Sequence, residues 1–161
     1  MTQTKRILIT LVVVVVLIGA VLGIEAIRRS QSEPTLPPGS IPIYVDGKLV
    51  GGFTPDDLGD LEQVSFVDAE EGKTQEGWLL RDVLLENVQK SKLQPDTHIV
   101  VSSSSRGKSA ELTWSEVDDP ANWVMFDLSA RGTLKLVSVL ERLDVRDEWV
   151  QDVDRIEVTR P

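Results

Sequence analysis

Residues 7–24, ILITLVVVVVLIGAVLGI, run for 18 positions without a charge. As a helix the run is about 27 Å long, close to the ~30 Å hydrocarbon core of a bilayer. Fourteen of its residues are Ile, Leu or Val. At roughly −0.3 to −0.6 kcal/mol each, they favour insertion by several kcal/mol in total. Lys5 and Arg6 precede the run, and Arg28 and Arg29 close it. The pattern predicts a transmembrane signal-anchor over residues 7–27 behind a short basic N-terminus, residues 1–6. A cleaved signal peptide has a shorter apolar core, about 7–15 residues, ending at a small-x-small site. Val21-Leu22-Gly23 is a passable site of that kind, but the run is long and no Ala-x-Ala follows it, so retention is expected. A short basic N-terminus before a single span stays inside, which places the following domain outside the cytoplasm at the cell membrane. Gly19 and Gly23 form a G-x-x-x-G pair that lets two helix backbones approach, the pattern of a membrane homodimer. Glycine is also common in membrane helices generally.

Residues 33–161 hold 25 Asp/Glu, all but Glu25 of the chain's 26, and 13 Lys/Arg, all but Lys5, Arg6, Arg28 and Arg29 of its 17. A domain with a net charge of −12 repels phosphate backbones, so nucleic acid is excluded as a partner class. The chain has no cysteine, which removes disulfides, thiolate metal sites, cysteine nucleophiles and lipoprotein acylation together.

Residues 28–40 carry Pro34, Pro37, Pro38 and Gly39 among small polar residues and read as a semi-rigid linker. The domain is expected over residues 41–161. Ile41 to Val45 alternates with β character, Asp46-Gly47 is a hairpin turn, and 48–53 returns as a second strand. Thr54, Pro55 and two acids in the next turn read as a helix start. Residues 62–68 are a strand. Residues 78–88, WLLRDVLLENV, form the principal helix, with Leu80, Val83, Leu84 and Val88 on one face. Strands follow at 98–102, 108–113, 122–128, 133–139 and 154–159, with a capping box at Thr113–Glu116 opening one short helical turn. The fold class is α+β, a mainly antiparallel sheet with one principal helix.

Several residues carry candidate chemistry. Ser102 to Ser105, with Arg106, Gly107 and Lys108, form the one basic, hydroxyl-rich loop of an acidic domain. Ser104, Arg106 and Lys108 are its candidate anion ligands, against the plain alternative of a solvated hairpin tip. His98, the only histidine, with Met125 as a second axial ligand is the minimal haem pattern, though a histidine heading a strand is ordinarily a surface residue. Carboxylates gather at Asp68/Glu70/Glu71, Asp118/Asp119 and Asp144–Asp154, without the spacing of a calcium loop, so no metal site is assigned. No nucleophile elbow is present and no catalytic residue is assigned. Trp114 and Trp123 flank Asp118-Asp119-Pro120 and are candidate partner contacts, with core packing the alternative.

The order of elements resembles the sulfite-oxidase-type oxidoreductase molybdopterin-binding domain in its short exported versions. The segments that carry the resemblance are Thr54-Pro55-Asp56-Asp57-Leu58, Glu76-Gly77-Trp78-Leu79-Leu80-Arg81-Asp82-Val83-Leu84, Gly132-Thr133-Leu134-Lys135-Leu136-Val137, and Trp149-Val150 with Arg155-Ile156-Glu157-Val158. The resemblance spans roughly residues 41–158 and implies that family's fold. In the family a cysteine after the strand that 62–68 resembles holds molybdenum, whereas here the segment reads Val67-Asp68-Ala69-Glu70-Glu71-Gly72. Arg106-Gly107-Lys108 stands where the family often has Asp-Gly-Tyr, and Arg131-Gly132 where it has Asp-Gly. The implied function is a membrane-tethered, extracytoplasmic binding or assembly module without molybdopterin, its partner an envelope protein or a small ligand in the old cofactor groove. The alternatives are a molybdopterin-dependent redox subunit that holds its cofactor without a thiolate, and a structural membrane protein dimerising through Gly19 and Gly23.

Overall fold

The computed structural model describes residues 34–161. The expected span at 7–27, the basic N-terminus and the Gly19/Gly23 pair lie outside the described residues. Among the described residues no helix is long and apolar enough to cross a membrane. The compact unit begins at Pro34, ahead of the expected boundary at Ile41. Gly39 takes a positive φ of 83°, Ser40 N–H closes a turn on the Pro37 carbonyl at 3.2 Å, and the Leu36 side chain packs beside Gly52.

The first hairpin follows its local signals. Alternation in β1 (Ile41–Val45) turns Ile41, Ile43 and Val45 inward, and β2 (Lys48–Phe53) returns antiparallel to it. Asp46 and Gly47 take φ of 51° and 75°, the two left-handed positions of a type I′ turn. Thr54 then caps a 3-10 turn, Pro55–Asp60, and its N–H donates to the Asp57 carboxylate at 2.7 Å. β3 (Gln63–Val67) and β4 (Thr74–Leu79) form a second hairpin, and the helix α1 (Leu80–Asn87) follows directly. After a 3-10 turn at Lys90–Lys92 come β5 (His98–Ser103), β6 (Lys108–Thr113) and the short helix α2 (Trp114–Asp118). The Glu116 carboxylate accepts the Thr113 N–H at 2.8 Å, closing the predicted capping box of α2. β7 (Met125–Leu128), β8 (Leu134–Val137) and β9 (Arg155–Thr159) complete the order.

The architecture is α+β with mostly antiparallel strands and few helices, and the strands divide into two sheets rather than one. The five-stranded sheet runs β2-β1-β9-β5-β6, with only the β1–β9 pairing parallel. The four-stranded sheet, β3-β4-β7-β8, is antiparallel throughout. Ile43, Ile99, Val101, Ile156 and Val158 of the first sheet join Phe126, Leu134 and Leu136 of the second in one core. Leu80, Val83 and Leu84 of the predicted helical face enter that same core, as does Val88, which lies just past the end of α1 in extended backbone, and all four are at most 4 % exposed.

Two expectations need correction. Trp78 and Leu79 belong to β4 rather than to the principal helix, because β4 is pinned on both sides: Trp78 pairs with Gln63 of β3 and with Phe126 of β7. Helix begins only after the Leu80 N–H reaches the Val124 carbonyl at 3.0 Å. The strand predicted over 122–128 starts at Met125. Asp119 caps a 3-10 turn, Pro120–Asn122, by accepting the Ala121 N–H, and Trp123 closes it in the left-handed region at φ 46°. Backbone in that conformation cannot extend a strand.

Candidate functional site

Alternation along β8 sends Leu134 and Leu136 into the main core and Lys135 to the opposite face of its sheet. Register sets Lys135 across from Asp127, and their charged groups meet at 3.0 Å. The Lys135 ammonium also donates to Gln75 Oε1 at 2.8 Å. Gln75, itself buried, passes the connection on: its Nε2 donates to Asp68 Oδ2 at 2.8 Å, and Asp68 Oδ1 accepts the Glu71 N–H at 2.6 Å. A polar chain thus crosses from β8 to the turn between β3 and β4.

The connection between β8 and β9 covers this face. Trp149 is buried there, donates its indole N–H to the Leu143 carbonyl at 2.9 Å, and packs with Met125 and Val137 in a second apolar cluster. The Lys135 ammonium lies 5.0 Å from the Trp149 ring centre and the Arg146 guanidinium 5.7 Å, so two cations lie close to one indole. Arg146 fastens the cover to the β3–β4 turn, its N–H donating to Glu70 at 2.9 Å and its Nη1 to Glu71 at 2.8 Å. Between cover and turn opens a cleft of about 580 Å³, walled by Glu70, Glu71, Ser129, Lys135, Arg146 and Gln151. An ammonium has three donors, and Asp127 and Gln75 take two of Lys135's. The third, with the Gln151 side-chain amide, is left for a polar ligand's acceptors, while the Ser129 hydroxyl is spent on Thr133 and on the Arg131 and Thr133 N–H groups. Glu70, Glu71 and Asp147 outnumber Lys135 and Arg146 on the walls, so an anionic ligand gains little from this cleft. None of these groups forms a nucleophile paired with a base.

The loop expected to cradle an anion is already filled from within. The Ser104 N–H donates to Asp154 Oδ2 at 2.8 Å and its hydroxyl to the same oxygen, while Arg106 Nε donates to Asp152 at 2.6 Å. Arg131, from the β7–β8 tip, meets the same Asp152 at 3.0 Å, and the Thr133 hydroxyl donates to it at 2.7 Å. Arg106 and Arg131 therefore close on one carboxylate and tie the tips of two sheets together. Lys108 lies half-buried in β6 without a carboxylate partner among the described residues.

The other candidates are kept apart. His98 is exposed at the start of β5 in the five-stranded sheet, while Met125 is fully buried in the four-stranded one. Trp114 is 6 % exposed within the main core, so only Trp123, half-buried and 6.2 Å from the Phe66 ring, has surface to offer a partner. Asp118 pairs with Arg81 at 3.1 Å and Asp119 caps the turn after it. Among the described residues no group of three or more His, Asp or Glu side chains is placed to hold a metal ion. The cleft by Trp149 escaped sequence reasoning. Its one local signal was a lysine in the middle of an otherwise apolar strand, Leu134-Lys135-Leu136-Val137.

These carboxylates make the fold sensitive to acid. The Thr133 hydroxyl, then Arg106, holds the Asp152 carboxyl below the usual aspartate value of 3.8. The Glu71 N–H does the same for Asp68, and Arg142 does so for Glu116 relative to 4.5. A carboxyl whose pKa is lower in the folded state stabilises fully above its unfolded value and loses that contribution as pH falls through the folded value. The melting temperature is therefore expected to be flat for these groups above about pH 5 and to fall steeply below about pH 4. Asp152→Asn should make that acid limb shallower, read as melting temperature against pH. An unchanged limb would remove Asp152 from the account.

No family model and no curated protein matches the sequence.

Proposed function

We infer that this chain is a membrane-tethered domain acting outside the cytoplasm as a non-catalytic binding or assembly module, built on a fold of the sulfite-oxidase molybdopterin-binding type. The tether rests on the uncharged run 7–24. The non-catalytic reading is carried by Asp68, in the segment where the resembled family places its molybdenum thiolate. Its side chain is 2 % exposed in residue terms, and one oxygen accepts the Glu71 N–H while the other accepts the Gln75 amide. A hard carboxylate spent on closing its own turn does not replace a soft thiolate open to a metal. The donors of the Ser104–Arg106 loop are likewise spent on Asp152 and Asp154. The residues present do not fit a molybdenum–pterin group.

The polar cleft between Glu70 and Gln151, with Lys135 among its lining residues, is open to a ligand instead. The test is to purify full-length protein from its own carbonate-washed membranes and measure its molybdenum and pterin content. The expected result is protein retained in the membrane with neither component near stoichiometric amounts. Stoichiometric cofactor would overturn the reading in favour of a redox subunit without a thiolate ligand. Loss of the protein to the carbonate wash would overturn the tether.

A further inference from the structure

We propose that a second cleft, at the hairpin end of β1 and β2, docks an acidic and partly apolar segment of a partner protein, its carboxylates on Lys48 and Lys92 and its apolar side chains on Val50. The cleft is about 510 Å³ and also takes in Val45, Val88 and Arg160. It stands apart from the cleft by Trp149 and does not rest on the resemblance, while the choice of a protein over lipid head groups rests on the tether proposed above.

Its charge is the reverse of the domain's. Acids outnumber bases 26 to 17 along the chain, yet here Lys48, Lys92 and Arg160 face a single carboxylate, Asp46. That carboxylate is occupied: Arg160 donates its N–H to one oxygen at 3.2 Å and its Nε to the other at 2.7 Å. It is therefore a poor neutraliser of the two lysines. Every arginine among the described residues has a carboxylate within ion-pairing distance. Among the same residues Lys48, Lys90, Lys92 and Lys108 have none, and the first three sit on or beside this cleft. Carboxylates abundant enough to pair with all seven arginines leave this one group of ammonium ions open.

The floor selects against a simple inorganic anion. Val50 is 41 % exposed where the β1–β2 register slips, and Val45 and Val88 continue its apolar surface inward. β2 is an edge strand, so no further strand screens that side. A segment alternating acidic and apolar residues satisfies both the ammonium groups and the valines. The cleft's position also bears on its partner. The chain enters β1 at Ile41, and the cleft lies past Val45, roughly 13 Å further along at ~3.3 Å per residue. It therefore opens at the far end of the strand from the Pro34–Ser40 segment, which favours a protein partner over lipid head groups.

The experiment measures fluorescence anisotropy of a labelled peptide of alternating glutamate and leucine against full-length protein in a neutral detergent. Saturable binding that weakens as salt rises is expected, with affinity falling roughly tenfold or more in the Lys48→Glu/Lys92→Glu protein. The Lys48→Gln/Lys92→Gln protein, which adds no repulsion, should show an intermediate loss, and circular dichroism melts check that both variants fold. Equal binding by the folded variants, or no saturable binding by the parent, would overturn the proposal. So would displacement of the peptide by phosphatidylglycerol vesicles at lower concentration than by free acidic peptide, which would assign the cleft to a lipid surface. Self-association lost in the same two variants would assign it to a second copy of this chain and overturn the partner-protein reading.

Discussion

Gly77→Ala is expected to cost on the order of 3 kcal/mol or more, among the largest single losses a methyl group can cause in this domain. A Cβ at Gly77 would stand 1.8 Å from the Phe126 carbonyl oxygen and 2.7 Å from its carbon. Both obstacles are backbone, so no rotamer change relieves the clash. Gly77 lies inside β4, opposite Val64 of β3 and Asp127 of β7, so relief requires prying apart a central strand pair. A loss of that size lowers the melting temperature by roughly 10 °C in a domain this large. The contrast is Gly72→Ala, where φ is 66° but nothing lies within 4 Å of the new Cβ. Only the left-handed backbone is penalised there, at about 1 kcal/mol. Thermal and urea unfolding of the full-length variants read both. Equal losses at the two glycines would mean that β4 and β7 separate without cost, against the close approach seen here.

Phe126→Ala is expected to cost about 3–5 kcal/mol by emptying the centre of the core. Phe126 has no exposed surface, is the largest of the fully buried side chains, and its ring centre lies 5.8 Å from that of Phe53. It projects from β7, while Phe53 ends β2, so the pair links the two sheets. Truncation leaves the β4–β7 hydrogen bonds in place, so the dependence on urea should keep its slope while the midpoint falls. A loss under about 1 kcal/mol would mean that neighbouring side chains refill the space. Because the space emptied by Phe126→Ala lets the backbone at that position yield to a Cβ at Gly77, the double variant should lose less than the two single losses added together.

Much of the local structure is written within a few residues of where it forms. Asp46-Gly47 dictates its turn because Asp and Gly tolerate the left-handed backbone. Thr54 with Asp57, and Thr113 with Glu116, cap their helices three residues away, and the spacing of Leu80, Val83 and Leu84 fixes the buried face of α1. Thr74-Gln75-Glu76-Gly77-Trp78-Leu79 carries no such signal. It lacks clean alternation, and Gly77 weakens strand and helix alike, so its last two residues read as the opening of the helix that follows. It is a strand because β3 and β7 flank it.

The candidate site lay further beyond reach of the sequence. Lys135 meets Gln75 across 60 positions of chain, Arg146 meets Glu71 across 75, and Arg106 meets Asp152 across 46. Read singly, each is a charged residue on a polar stretch, for which a solvated surface is the ordinary expectation. The sequence by itself determined the uncharged run, the acid excess, the missing thiolate, the first hairpin, the caps and the face of α1, since each depends on composition or on neighbours within a turn. The division into two sheets, the insertion of β9 between β1 and β5, the closure of Asp68 on its own turn and the gathering of Lys48 with Lys92 were decided only by the tertiary structure. Strand partners and ion pairs are chosen by which distant surfaces bury each other best, and no short window of sequence contains both members.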